Sequence, residues 1–195
     1  MNLIELIFST DFLYMWIRVA TPILLASLGA VICTKAGVVN LGLEGIMLIS
    51  ALAGVLGSAF GGSLWIGLLT GLLASVAVSA VFAYFHLALK ANNVLCGTAV
   101  NTMASGLTVF VLQLATGEKG NSSSLKSFSF PNVDIPIIKD IPVLGGILSG
   151  HNALTYLALA MVVVIWFFLY KTPTGLRMRA VGENPNAASS VGQNV

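Results

Sequence analysis

The sequence predicts an all-α protein, a polytopic bundle of transmembrane helices with about five spans in this chain. Hydrophobic residues make up 57% of the chain and charged residues only 8%, and the mean hydropathy is +0.95. This balance lies outside that of soluble domains. The apolar residues also fall into runs of roughly twenty, the length that crosses about 30 Å of hydrocarbon. We therefore expect a single transmembrane domain over residues 1–195, with its spans between residues 12 and 170.

The five spans follow the order of the apolar runs. We place them at residues 12–33, 43–60, 64–89, 94–116 and 153–170. No basic residue precedes the first run, as it would in a cleavable secretory signal. The first span is therefore expected to remain in the protein.

Basic residues predict the orientation. One set of them falls after the first, third and fifth spans and hence on one side of the membrane: Lys35, Lys90, Lys171, Arg177 and Arg179. By the positive-inside rule that side is the cytoplasm. The amino terminus and the loop 117–152 then lie outside, and the segment 171–195 lies in the cytoplasm. Within the loop we expect a short interfacial helix over residues 142–149.

Arg18 lies within the first span, where a basic side chain costs about 2.5–3.5 kcal/mol on insertion scales. Because Tyr14 and Trp16 are close in sequence, the side chain can snorkel to the outer interface. Pairing with a carboxylate in the bundle interior is the alternative.

Composition and motifs argue against several function classes. The net charge of +2 is small and the basic residues are dispersed, so nucleic acid is not an expected partner. Cys33 and Cys96 have no second ligand at metal spacing, which indicates packed small side chains and no metal site. His86 and His151 are predicted on opposite faces of the membrane, and no HExxH or GxSxG sequence occurs. We therefore assign no catalytic residue and do not expect an enzyme.

The third and fourth spans carry patterns of small and polar residues. Small residues recur at every fourth position of the third span, which predicts close helix packing: Gly67, Gly71, Ser75, Ser79 and Ala83. In the fourth span Asn101, Ser105 and Thr108 share one helical face. These polar groups either bond neighbouring helices or line a solute path, and the pattern leaves both open.

The junction before the second span reads AGVVNLGLEGIML over residues 36–48. Asn40 and Glu44 stand one helical turn apart, while Gly37, Gly42 and Gly45 weaken a continuous helix. Broken helices with polar groups are where many transporters form sites and hinges. A helix cap with Glu44 near water is the alternative.

The polar tail over residues 171–195 contrasts with the apolar body. Asn184 can cap a short helix, Pro185 suits its first position, and residues 186–190 can continue it until Gly192 loosens it. A short helix of small residues outside the bilayer is suited to being held by a partner.

Two of these passages carry a resemblance to a known family. GVVNLGLEG, residues 37–45, is similar to the second-span signature of nucleoside-type permeases. The Gly-x-Asn-Pro-x-Ala-Ala core of the family's cytoplasmic coupling loop is matched by Gly182, Asn184, Pro185, Ala187 and Ala188. Along its whole length the chain resembles the inner-membrane permease subunits of bacterial ABC importers. The branch is that of simple sugars, nucleosides and, more distantly, branched-chain amino acids.

The resemblance implies a permease that moves a small polar solute, in the first place a nucleoside. The candidate path residues are Asn40, Glu44, Asn101, Ser105 and Thr108. A separate cytoplasmic ABC ATPase would dock on the coupling residues Gly182, Asn184, Pro185, Ala187, Ala188 and Gly192. Further implied partners are a second permease subunit, identical or different, and an extracellular substrate-binding lipoprotein. Because no GxxxxGK[ST] occurs, ATP and magnesium are expected on the ATPase and no cofactor in this chain.

The chain departs from the family pattern in three ways. Asn186 stands where related coupling loops often carry Glu, and Gln193 replaces an apolar residue. Family members continue through further spans, so we expect a permease shortened at its carboxy terminus or a fragment of one. The functional alternatives are a sugar or branched-chain amino acid importer, or a passive channel or scaffold, which energy dependence would separate.

Overall fold

The computed structural model describes residues 9–117, 120–133 and 149–192. Its helices are α1 (Thr10–Lys35), α2 (Leu43–Gly61), α3 (Leu64–Ala83), α4 (Asn93–Thr116), α5 (Ala153–Lys171), α6 (Pro173–Glu183) and α7 (Pro185–Ser190). Two short strands, β1 (Asn132–Val133) and β2 (His151–Asn152), pair antiparallel. The predicted all-α class is confirmed. The interfacial helix predicted over residues 142–149 falls outside the described residues, except for Ser149.

Five helices in the described ranges are long and apolar enough to cross a membrane. They are Phe12–Lys35, Leu43–Gly61, Leu64–Ala88, Asn93–Thr116 and Ala153–Lys171. The predicted spans are confirmed, and the largest difference is at the end of the first, residue 33 against Lys35. Large apolar side chains lie exposed along these helices, among them Trp65 at 69% and Leu114 at 72%. Such a surface suits hydrocarbon as its solvent.

The third span is not the uniform helix that its apolar run predicts. After α3 ends at Ala83, the chain continues as a π-helical turn over Tyr84–Ala88. The wider turn allows the Leu89 N–H to donate to the Tyr84 carbonyl at 3.2 Å. This bond satisfies a carbonyl at the end of the helix. The chain then turns at Lys90, whose φ is 50°.

Contacts divide the chain into two compact units. The first comprises Met1–Val38 and Phe130–Val195, and the second comprises Val39–Ser129. In the first unit α1 packs against α5 and α6, and α7 packs against α6. In the second unit α2 packs against α3 and α4. That all 195 residues form a single transmembrane domain stays a prediction.

Polar contacts fix α1 against the start of α5 in the first unit. The Tyr14 hydroxyl donates to the Gly150 carbonyl at 2.7 Å, and the Tyr14 ring stacks on buried His151 with centroids 4.1 Å apart. Two turns further along, the hydroxyls of Thr21 and Thr155 lie 3.2 Å apart. Because hydroxyls satisfied by a neighbouring helix stabilise membrane bundles, these contacts set the pairing of α1 with α5.

Small residues join α2 to α3 in the second unit, as the pattern of the third span predicts. Gly67 and Gly71 are buried, and a Cβ placed on Gly67 would lie 2.8 Å from the Gly54 carbonyl oxygen. The Thr70 hydroxyl uses this closeness to donate to the Ala53 carbonyl at 3.0 Å. The packing role is thus confirmed for the first half of the stripe, whereas Ser75, Ser79 and Ala83 are only half-buried.

Candidate functional site

The junction between α1 and α2 is a break in the helix, as its glycines predict. Residues 36–42 are not helical. Within them, the Asn40 Oδ1 accepts the N–H of Gly42, two residues further along the chain, at 3.0 Å. Glu44 lies exposed in the first turn of α2. Its carboxylate is favoured there by the positive end of the helix dipole.

Asn101 on α4 caps the start of α2 from a neighbouring helix. Its Oδ1 accepts the Gly45 N–H at 2.8 Å, and its Nδ2 donates to the Leu41 carbonyl at 3.0 Å. Gly45 carries one of the first amides of α2, which have no acceptor within their own helix. Of the two roles that the sequence leaves open for Asn101, the structure shows the bond between helices.

The contacts of α4 with this junction extend over about two helical turns. Gly97 is buried, and a Cβ there would lie 2.6 Å from the Leu41 Cβ. One turn before it, the Asn93 side-chain amide donates to the Val39 carbonyl. Sequence reasoning missed Asn93, although its spacing of four from Gly97 and eight from Asn101 places it on the same face of α4. That spacing was the available signal.

The remaining polar residues of this face keep their hydroxyls within α4. The Ser105 hydroxyl donates to the Thr102 carbonyl at 2.9 Å, and the Thr108 hydroxyl donates to the Ala104 carbonyl. Ser105 is exposed and Thr108 is half-buried. Neither holds a neighbouring helix through these bonds, and both remain candidates for a solute path.

An apolar groove of about 330 Å³ lies between the end of α3 and α4 within the second unit. Its lining comprises Val81, Phe82, Phe85, Leu95, Cys96, Ala99, Val100 and Met103. No amide, charged or hydroxyl side chain is among these lining residues, so this groove offers a polar solute only the weak hydrogen-bonding capacity of the Cys96 and Met103 sulfurs.

The tail forms the helix that its sequence predicts. The Asn184 side chain accepts the Ala187 N–H at 3.1 Å as the cap of α7, and Pro185 occupies the first helical turn. The helix ends at Ser190, and Gly192 follows with φ +81°. The cap and both ends of the predicted helix are confirmed.

The predicted coupling residues do not all face outward. Pro185, Ala187 and Gly192 are exposed together with the cap Asn184, whereas Ala188 is only 5% exposed. Gly182, near the end of α6, lies against the backbone of Gly37. The exposed residues are available to a partner, and Ala188 and Gly182 hold contacts within the chain.

Two cations lie over aromatic rings near the end of α5. The Arg179 guanidinium lies 4.7 Å from the Tyr170 ring centroid, and the Lys171 ammonium lies 5.7 Å from that of Trp166. Aromatic and basic side chains together are typical of a membrane–water interface. The boundary between α5 and α6 has this character.

Three further sequence expectations concern Arg18, the two cysteines and metal binding. Arg18 is exposed, and its snorkelling stays a prediction. Cys33 and Cys96 are half-buried and not joined in a disulfide. In the ranges that the structure describes, no three His, Cys, Asp or Glu side chains converge as metal ligands would.

The long apolar helices define a multi-pass membrane protein. Residues 12–195 match a protein family described as the permease component of branched-chain amino acid transport systems, and the chain belongs to this family. The resemblance to ABC permeases drawn from the two motifs is confirmed.

Curated relatives come from both nucleoside and sugar systems. The chain is 39% identical, over 90% of its length and 57% of the relative, to the guanosine ABC transporter permease protein NupQ of Bacillus subtilis. It is 37% identical, over 95% of its length and 55% of the relative, to the putative glucose ABC transporter permease protein TsgC13 of Haloferax volcanii. It is 35% identical, over 100% of its length and 61% of the relative, to the nucleoside ABC transporter permease protein NupC of Lactococcus lactis. The chain thus spans little more than half the length of these relatives. No solved structure matches it significantly.

Proposed function

We propose that this chain is a permease subunit of an ATP-driven importer that moves a small polar solute, in the first place a nucleoside, across the bacterial plasma membrane. The observation that carries the proposal is α7, a capped helix with exposed small residues that follows the apolar span α5 in a permease-family chain. The names of NupQ and NupC support the nucleoside. A simple sugar, as the name of TsgC13 suggests, and a branched-chain amino acid, as in the family description, are the alternatives.

The ATPase partner docks on the exposed side of α7, at Pro185, Ala187 and Gly192. Small side chains allow a close approach, and Asn184 fixes the start of the helix. The ATPase holds ATP and magnesium, and this chain carries no cofactor. The positions of Lys35, Lys90 and the tail cations support a cytoplasmic α7 and an external amino terminus. A second permease subunit and an extracellular substrate-binding lipoprotein complete the importer.

The solute path passes the polar groups of the second unit. Asn40 and Glu44 contribute at the broken junction, and Ser105 and Thr108 contribute on α4. A nucleoside presents hydroxyls and base edges that need donors and acceptors, which these side chains supply. Asn101 positions the junction for this role by its bonds to Leu41 and Gly45.

The test is uptake of labelled guanosine into proteoliposomes that contain the chain with its permease, ATPase and binding-protein partners. We expect uptake with ATP, none without it, and competition by other nucleosides but not by glucose or leucine. Glu44→Gln, which removes the charge but keeps the shape, should lower uptake about tenfold or more without releasing the ATPase. Competition by glucose or leucine instead would reassign the solute, and flux without ATP would favour the passive channel.

A further inference from the structure

The two sequence passages that carry the family resemblance meet in the first compact unit. Gly37 ends the turn after α1, and Gly182 lies in the last turn of α6. A Cβ placed on Gly37 would lie 3.0 Å from the Gly182 Cα. A Cβ placed on Gly182 would lie 2.8 Å from the Gly37 nitrogen and would collide with the Lys35 carbonyl oxygen. Backbone therefore contacts backbone: Gly182 has no room for a methyl group, and at Gly37 a methyl group would fit only if the Gly182 backbone moved by a few tenths of an ångström.

Glycine is needed at position 37 and at position 182 for different physical reasons. Gly37 adopts φ +88° and closes α1 with a Schellman motif, in which its N–H donates to the Thr34 carbonyl at 3.1 Å and the Val38 N–H donates to the Cys33 carbonyl at 3.0 Å. Gly182 has ordinary helical geometry, where glycine is less favourable than alanine. The turn accounts for Gly37, but only the contact with the end of α1 accounts for Gly182.

The contact occupies a particular place along the chain. Gly182 precedes the α7 cap, Asn184, by two residues. Gly37 precedes Asn40 by three, and the chain enters the second unit at Val39. In that unit α4 holds the segment 39–45 through the contacts of Asn93, Gly97 and Asn101.

We propose that the Gly37–Gly182 contact is the link that transmits movement of α6 and α7 to the junction carrying Asn40 and Glu44. The inference rests on the proposed function, in which an ATPase moves α7. A contact between two backbones has no flexible side chain to absorb a displacement. Displacement of Gly182 therefore displaces Gly37 and the junction that follows it.

The test compares three variants of the full chain. Gly182→Ala breaks the contact from the α6 side. Gly37→Asn strains the contact from the other side but keeps the turn, because Asn tolerates positive φ. Gly29→Ala is the matched control, since a Cβ there meets nothing within 4 Å.

The first readout does not depend on transport. In a background with Cys33→Ser and Cys96→Ser, the rate of maleimide labelling of Glu44→Cys is measured in proteoliposomes. We expect Gly182→Ala and Gly37→Asn each to change this rate by about threefold or more, and Gly29→Ala to leave it unchanged. Should one of the two variants fail to fold, the other decides. Labelling at the control rate would overturn the link.

The second readout is uptake per ATP hydrolysed by the assembled transporter. We expect both contact variants to retain the ATPase and its hydrolysis but to lose about tenfold in uptake per ATP. Full coupling in both variants would overturn the link. If the unmodified transporter shows no ATP-dependent uptake, the proposed function fails, and the labelling rates still decide whether the contact positions the junction.

Discussion

At the scale of single residues, Asn101 supplies a cap that the sequence before α2 does not. Gly42 occupies the cap position of α2 and has no side chain to accept an amide hydrogen. Asn101 carries both a donor and an acceptor, and so satisfies the Gly45 N–H and the Leu41 carbonyl together. An unsatisfied backbone group is costly in a membrane, which explains why an amide stands on the apolar helix α4.

Replacing Asn101 tests this role. Asn101→Ala removes both bonds and should lower the free energy of unfolding by about 1–2 kcal/mol. Ser105→Ala is the matched control on the same face and should change it by about 0.5 kcal/mol or less, because exposed Ser105 bonds only within α4. Unfolding in detergent, followed by tryptophan fluorescence, measures the difference. Equal losses would show that Asn101 does not cap α2 in the folded protein.

At the scale of elements, α7 depends on its surroundings. Six residues are too few for a stable isolated helix. The helix is held by its Asn184 cap, by Pro185 in its first turn and by packing against α6, with Ala188 buried. Neighbouring residues of this helix therefore have different tasks: Ala188 holds the helix, and exposed Ala187 is free to meet a partner.

A negative charge placed at Ala187 or at Ala188 should distinguish ATPase binding from packing of the helix. Ala187→Glu should abolish co-purification of the ATPase and leave the thermal stability of the chain unchanged. Ala188→Glu should lower that stability by about 2 kcal/mol or more, because it places a carboxylate where only 5% of the side chain is exposed. If the Ala187→Glu chain still binds its ATPase, the docking surface lies elsewhere.

At the scale of the whole molecule, the basic residues predict the orientation across the membrane. Labelling of single cysteines in intact cells tests it, in the background without Cys33 and Cys96. A membrane-impermeant maleimide should modify Ser124→Cys, in the loop after α4, from outside. It should reach Ser190→Cys only after the cells are opened. Both residues are exposed, so access depends on the side of the membrane. The reverse pattern would invert the topology.

The sequence by itself determined the class, the five apolar spans and the short capped helix α7. These follow from rules that act locally, because a bilayer demands apolar runs of a set length and helix caps involve residues within one turn. Asn184 and Pro185 predict the start of α7 from sequence alone, since a cap and a first-turn proline act on the amides of the helix that follows them.

Only the tertiary structure decided which residues hold the junction. Asn101 accepts a hydrogen bond from Gly45, which lies 56 positions away in the chain. Gly182 contacts the backbone of Gly37. On α7, Ala188 rather than Ala187 is buried. The π-helical end of the third span was equally absent from the apolar pattern. Periodicity shows which residues share a face but not which distant backbone that face meets, since the meeting depends on how the helices pack.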